Sequence, residues 1–271
     1  MSKNVWLIQD SHLNIDKTYL EYQALSSLNI PFIPFGILPD GELTGIYDNF
    51  DKCIARSSIK TLRLAMKKNF AHMDSKISDI IHNGYDYNEI NFDQNFISTL
   101  DLPLLNKNSL FLDMNDNSSL YASFSQDMFI KPSNDQKAFV ATILPAGQTI
   151  KVFLEVVGCP IERLKNETLL ISKVKHLKGE YRFICIEDTI AEGSKYLEEG
   201  KLDVEGLIPD NIKSAANEYV SLFKPANIFA MDLVETDSGI SIVEYNCWNC
   251  SGLYNIDRKS LFNKINEYKF S

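Results

Sequence analysis

Apolar and polar positions alternate most clearly near the end of the chain, and that stretch organises the reading of the rest. Ile228, Phe229, Met231, Leu233 and Val234 form an apolar run; Thr236-Asp237-Ser238-Gly239 breaks it; Ile240, Ile242 and Val243 restart it before Glu244-Tyr245-Asn246. The pattern predicts strand, tight turn and strand, with glycine supplying the positive φ of a hairpin connection. One acid, Asp232, sits inside the first strand, where an uncompensated charge is costly. Glu244 and Asn246 are two apart on the second strand and so face the same way.

Upstream, residues 5–8, 30–37 and 53–58 read as strands, with helical patterns over 16–28 and from a cap at Ser57 or Ser58 to about residue 70. Pro31 and Pro34 place the second strand at an edge or make it irregular. This alternation predicts a small βαβ-type layer. Residues 69–105 are rich in Asn, Asp and Tyr, with one short helix expected over 92–100, and read as a connection between domains. Further strands are expected at 128–130, 149–155, 169–173, 181–186 and 189–196, the last two joined by Glu187-Asp188 as a two-residue hairpin turn. An amphipathic helix over 209–222 and a terminal helix over 258–269 complete the pattern. The fold class is α+β, with two regions divided near residue 100, at 1–100 and 101–271.

Composition narrows the setting. With 271 residues, 45% of them hydrophobic, the chain can bury one large core or two modest ones. A net charge of −9 and a pI near 5.0 argue against nucleic acid or an anionic membrane as partner, while leaving room for a local basic pocket. The first residues lack a signal-peptide core, and no run approaches the roughly 20 apolar residues of a membrane span. Five scattered cysteines make a disulfide framework unexpected, so a reducing, cytoplasmic setting is anticipated.

The candidate chemistry centres on Asp232, Glu244 and Asn246, three hard oxygen side chains converging across a hairpin, which suit Mg²⁺. Lys131 follows Met128-Phe129-Ile130 and precedes Pro132; it either points to solvent at a strand end or reaches a cleft as a phosphate ligand, and Lys173 carries the same ambiguity. Arg182, in a largely apolar strand, requires an anion, either phosphate or carboxylate or a neighbouring acid such as Glu180 or Glu155. Lys195, on the next strand, offers a second cation near it. Cys247-Trp248-Asn249-Cys250 is a lone CxxC; its isolation excludes zinc, and Ser251-Gly252 follows where a thioredoxin-type motif would begin a helix, so the pair is expected to serve as small-residue packing. The sequence has no glycine-rich phosphate loop, so a nucleotide would be held by side chains.

In order along the chain, FIKPSNDQKAF, EYRFICIEDTIAEGSKY, the helix before Met231, and MDLVETDSGISIVEYNCWNCSGLY span residues 127–255. This ordered set resembles the ATP-grasp superfamily. It looks most like a divergent clade of phage and bacterial proteins that also includes a eukaryotic translation-initiation assembly factor. The resemblance implies two α+β subdomains clamping ATP, preceded by a small α/β pre-ATP-grasp domain that helps bind an acceptor. It makes Lys131 and Lys173 nucleotide contacts, Arg182 the arginine at the γ-phosphate or an acyl-phosphate with Lys195 assisting, and Asp232, Glu244 and Asn246 the Mg²⁺ ligands. Arg56 resembles a position pointing into the cleft at the substrate.

The activity so implied is an ATP- and Mg²⁺-dependent ligase joining a carboxylate to an amine through an acyl-phosphate, on a small molecule, a peptide or a protein. The alternatives are an ATP-binding assembly module with little or no ligase activity, and a non-nucleotide protein whose acids bind Ca²⁺ or form a structural ion-pair network.

Overall fold

A computed structural model describes residues 5–10, 15–38, 43–45, 53–57, 88–134 and 138–268. The helical pattern expected from Ser58 to about residue 70, most of the Asn-rich stretch and the last residue of the terminal helix lie outside the described residues.

The first sheet contains β1 (Val5–Gln9), β2 (Phe32–Ile37), β3 (Leu43–Thr44) and β4 (Cys53–Arg56), in the order β3-β2-β1-β4. β1 runs parallel to both β2 and β4, with helix α1 (Ile15–Ser27) between β1 and β2 in sequence. Trp6, Leu7 and Ile8 are at most 1% exposed, as a strand covered on both faces requires. β2 lies second from the edge, and the two-residue β3 pairs only with its end, at Gly36 and Ile37, beyond the prolines.

A second, antiparallel sheet is made of β5 (Leu110–Asp113), β6 (Met128–Pro132), β7 (Thr142–Leu144) and β8 (Thr168–Lys173), in the order β5-β8-β6-β7. A four-residue helix α2 (Gln94–Ile97) precedes this sheet, and α3 (Ile150–Val156) packs on it. The residues of α3, expected from the sequence to form a strand, are therefore helical. Thr149 caps α3 by accepting from the Val152 N–H at 3.4 Å. Ile150, Phe153 and Leu154 are buried at i, i+3 and i+4, a helical spacing that outweighs the β-branched composition of IKVFLEV. The short helix expected over 92–100 is broken at Asp93: a 3₁₀ turn covers Glu89–Phe92, and the Asp93 carboxylate then accepts from Asn95 and Phe96 to start α2.

The third sheet is antiparallel, in the order β11-β10-β9-β12-β13, from β9 (Gly179–Ile186), β10 (Thr189–Glu198), β11 (Lys201–Leu202), β12 (Ile228–Thr236) and β13 (Gly239–Cys247). Gly239, at φ +119°, closes the β12–β13 turn. Helices α4 (Asp210–Tyr219) and α5 (Arg258–Glu267) supply Ile212, Ala216, Leu261, Phe262 and Ile265 to the core beneath it. The outer edge of β13 is covered by the preceding connection, where Leu105 N–H donates to Ile242 O and Ile242 N–H to Pro103 O, both at 2.8 Å.

Among the described residues, the buried apolar side chains form two clusters. One joins the first and third sheets, with Trp6 edge-on to Trp248 at 5.8 Å and 4.8 Å from Phe262; the other belongs to the second sheet alone. Among the described residues, no helix is long and apolar enough to cross a membrane.

Candidate functional site

The strand order places β12 between β9 and β13, and the register sets Asp232 beside Arg182 on one side and Glu244 on the other. A bulge lies at this point: Asp232 pairs with Glu244, but Leu233 pairs with Ile242, leaving Val243 as the extra residue. Such bulges re-aim neighbouring side chains. Here Asn246 Nδ2 reaches Asp232 Oδ2 at 3.3 Å and Glu244 Oε1 at 3.0 Å.

Asp232 is 2% exposed, and its charge is met by Arg182, whose Nε and Nη2 donate to Oδ1 and Oδ2 at 2.7 and 2.6 Å. Burial opposes the Arg182 charge, but the Asp232 carboxylate outweighs it and holds the guanidinium pKa above its ordinary value. Arg182 Nη1 donates to Gly252 O at 3.3 Å. The guanidinium also faces Tyr196 and Tyr254, 5.8 and 5.3 Å from the ring centres, and the two rings stack 4.8 Å apart. Beside them Tyr196 OH donates to Glu180 Oε2 at 2.9 Å. Burial raises the Glu180 pKa against that hydrogen bond, and the Asp232 and Glu244 carboxylates push the same way.

Lys131, on the second sheet, forms an ion pair with Glu244 across the seam. Of the two readings left open for this lysine, the one facing a cleft is observed. A cavity of about 190 Å³ opens there, lined by Lys131, Ser133, Asn134 and Phe139 on one side and Glu244 and Asn246 on the other. Phe92 and Gln94 also line it. Nothing in the sequence marks those two, because they arrive from the connecting segment. The Tyr196–Tyr254 pair is likewise unmarked, although both tyrosines fall within the motif stretches.

Other expected residues are placed elsewhere. Ser194, not Lys195, sits opposite Arg182; Lys195 pairs with Tyr181 on the other face of the ladder and binds Glu198 and Asp203, each at 2.7 Å. Lys173 is exposed opposite Met128, on the other face of β8 from the position facing Lys131. Arg182 takes Asp232 as partner rather than Glu180 or Glu155; the latter is exposed on α3. Arg56 does not reach an open cleft. It is 9% exposed, donates to Glu21 Oε1 at 2.9 Å, Ser251 O at 3.0 Å and Trp248 O, and lies 4.9 Å from the centre of the Trp248 ring.

The donor set fits Mg²⁺. Two carboxylates and an amide are hard oxygen ligands, and one amide nitrogen within 3.3 Å of both acids shows that the three side chains converge. Among the described residues, no group of three or more His, Cys, Asp or Glu side chains forms a separate metal site.

Solved structures share this architecture. D-alanyl-alanine synthetase A from Vibrio cholerae aligns over 100% of this chain and 96% of its own, with a TM-score of 0.57 and 12% identity. The ATP-bound D-alanine–D-alanine ligase from Bacillus anthracis gives 0.55 at 12% identity, over 98% of this chain and 96% of that one. The ATP-grasp ligase PsnB with its minimal precursor gives 0.52 at 13% identity, over 98% of each chain. At such identities the likeness establishes the fold, with its pre-ATP-grasp sheet and two antiparallel sheets. No curated protein matches the sequence. Residues 111–263, more than half of the chain, match a family of ATP-grasp domains, family 2 of its clade, and the protein belongs to that ATP-grasp family.

Proposed function

We propose that the protein is an ATP- and Mg²⁺-dependent carboxylate–amine ligase working through an acyl-phosphate. The observation that carries this reading is the meeting of Asp232, Glu244 and Asn246 with Lys131 and Arg182 at the seam between the two antiparallel sheets. Such chemistry needs charge neutralisation and alignment rather than a protein nucleophile. Asp232, Glu244 and Asn246 would hold Mg²⁺, which when bound neutralises and aligns phosphate oxygens.

The chain's own groups divide the remaining work. Lys131 lies close enough to the acids to exchange Glu244 for a phosphate oxygen. Arg182 commits three of its N–H groups to Asp232 and Gly252, which fixes the carboxylate and leaves two N–H groups for an anion. Residues 1–100 would present the acceptor and residues 101–271 would clamp the nucleotide. The ligases among the similar structures, one of them complexed with a minimal precursor, support a carboxylate and an amine from a small molecule, peptide or protein as substrates.

A second reading, an ATP-binding assembly module with little ligase activity, draws on the motif likeness to the translation-initiation assembly factor. One feature favours it: Arg182 and Lys131 already neutralise both acids. The deciding experiment is ADP release from Mg²⁺-ATP against a panel of amino acids and peptides, with mass spectrometry of the product. A ligated product that disappears in Glu244→Gln supports the ligase. ATP binding with no ADP release under any acceptor mixture supports the module and overturns the ligase.

A further inference from the structure

Cys247 ends β13 one residue after Asn246 and is 4% exposed, whereas Cys250, three residues on, is exposed. Their Sγ atoms lie 3.3 Å apart. The turn between them is anchored from several sides. Asn249 Nδ2 donates to Ala55 O at 2.6 Å, Ser251 Oγ donates to Cys247 O at 2.7 Å, and Arg56 donates to the carbonyls of Trp248 and Ser251. A disulfide needs about 2 Å between its sulfurs, so the two thiols are held roughly 1.3 Å from bonding distance. Packing alone does not call for this. A cysteine kept for small apolar volume belongs inside, as Cys185 does, while Cys250 presents its sulfur to solvent.

We infer that Cys247 and Cys250 form a dithiol–disulfide couple, closed by exchange with a small disulfide of the glutathione class. Cys250, as the thiolate, attacks one sulfur of that oxidant, forming a mixed disulfide and releasing one small thiolate. Cys247, deprotonated in turn, attacks the Cys250 sulfur, forms the Cys247–Cys250 bond and expels the second small thiolate. The two protons given up by the cysteines protonate the leaving groups. Two protein thiols are oxidised, and one small disulfide is reduced to two thiols. The closed ring spans Trp248 and Asn249, so the oxidation state is written into the turn that follows the candidate metal ligands.

Cys159 and Cys185 serve as internal references. Both are buried, and burial raises both thiol pKa values, that of Cys185 well above the ordinary range. They remain thiols under conditions that close the exposed pair.

The test uses the full chain in glutathione buffers of increasing oxidised fraction, followed by alkylation, digestion and mass spectrometry. Cys247 and Cys250 lose alkylation together, appear joined, and reopen in reduced glutathione, while Cys159 and Cys185 stay reduced. Cys247→Ser leaves a glutathione adduct on Cys250 with no ring. Absence of the Cys247–Cys250 link in the folded wild-type chain at the most oxidising ratio overturns the proposal, as does a link from either to another cysteine. That readout needs no variant, so a folding defect in Cys247→Ser leaves it intact.

Discussion

Arg182 and Asp232 face each other across β9 and β12 in a two-pronged ion pair, with donor–acceptor distances of 2.7 and 2.6 Å and both side chains nearly closed to solvent. Removing one member of such a pair leaves the other charged and unpaired in the interior, at about 3–5 kcal/mol. Asp232→Ala and Arg182→Ala are each expected to lose stability on that scale in urea unfolding. Activity lost in either variant therefore combines folding with chemistry.

Glu244→Gln separates the two. Glu244 sits nearer the surface, its side chain 18% exposed, and glutamine keeps its shape. ADP release is expected to fall by about 10²-fold or more, the scale of losing one preorganised charge contact. Melting temperature should stay within a few degrees of wild type.

Lys131→Ala and Lys195→Ala should diverge. Lys131 lines the cavity beside Glu244, so its loss should weaken Mg²⁺-ATP binding by about tenfold or more in calorimetry. Lys195 is held by Glu198 and Asp203 on the opposite face of the ladder, and its loss should leave ATP affinity unchanged.

Glu180 sets a pH dependence. Its folded pKa is raised, so between the unfolded and folded values the folded chain binds more protons than the unfolded one. Its contribution to stability is complete below the ordinary glutamate range and is lost as pH rises through the raised value. Glu180→Gln, which can still accept from Tyr196, should flatten that part of the stability–pH curve measured by chemical denaturation.

The hairpin at 228–247 is legible in the sequence because alternation, a turn glycine and an acid within an apolar strand are local signals. The acid's partner is not, since Arg182 reaches Asp232 only through the pairing of β9 with β12, far apart in sequence. Lys195 misses its expected place by a single position: Ser194 is the residue opposite Arg182, and a shift of one residue changes face. Residues 149–155 mislead because their β-branched and aromatic composition favours a strand, while burial follows helical spacing. Arg56 stands out in the sequence, but its work is to fasten the 248–251 turn to the first sheet.

The separate apolar cluster of the second sheet has a mechanical consequence. Among the described residues, no hydrophobic cluster runs from that sheet into the rest of the molecule; the ties across the seam include Lys131 to Glu244, Ser133 Oγ to Asp93 Oδ2 at 3.0 Å, and Gln94 N–H to Ser133 O at 2.8 Å. Exchanging such contacts for water costs on the order of 1 kcal/mol apiece, well below the cost of dismantling either core. The second sheet is thus built as a jaw whose bite is set by polar contacts, and a guest supplying its own charges competes with those contacts directly.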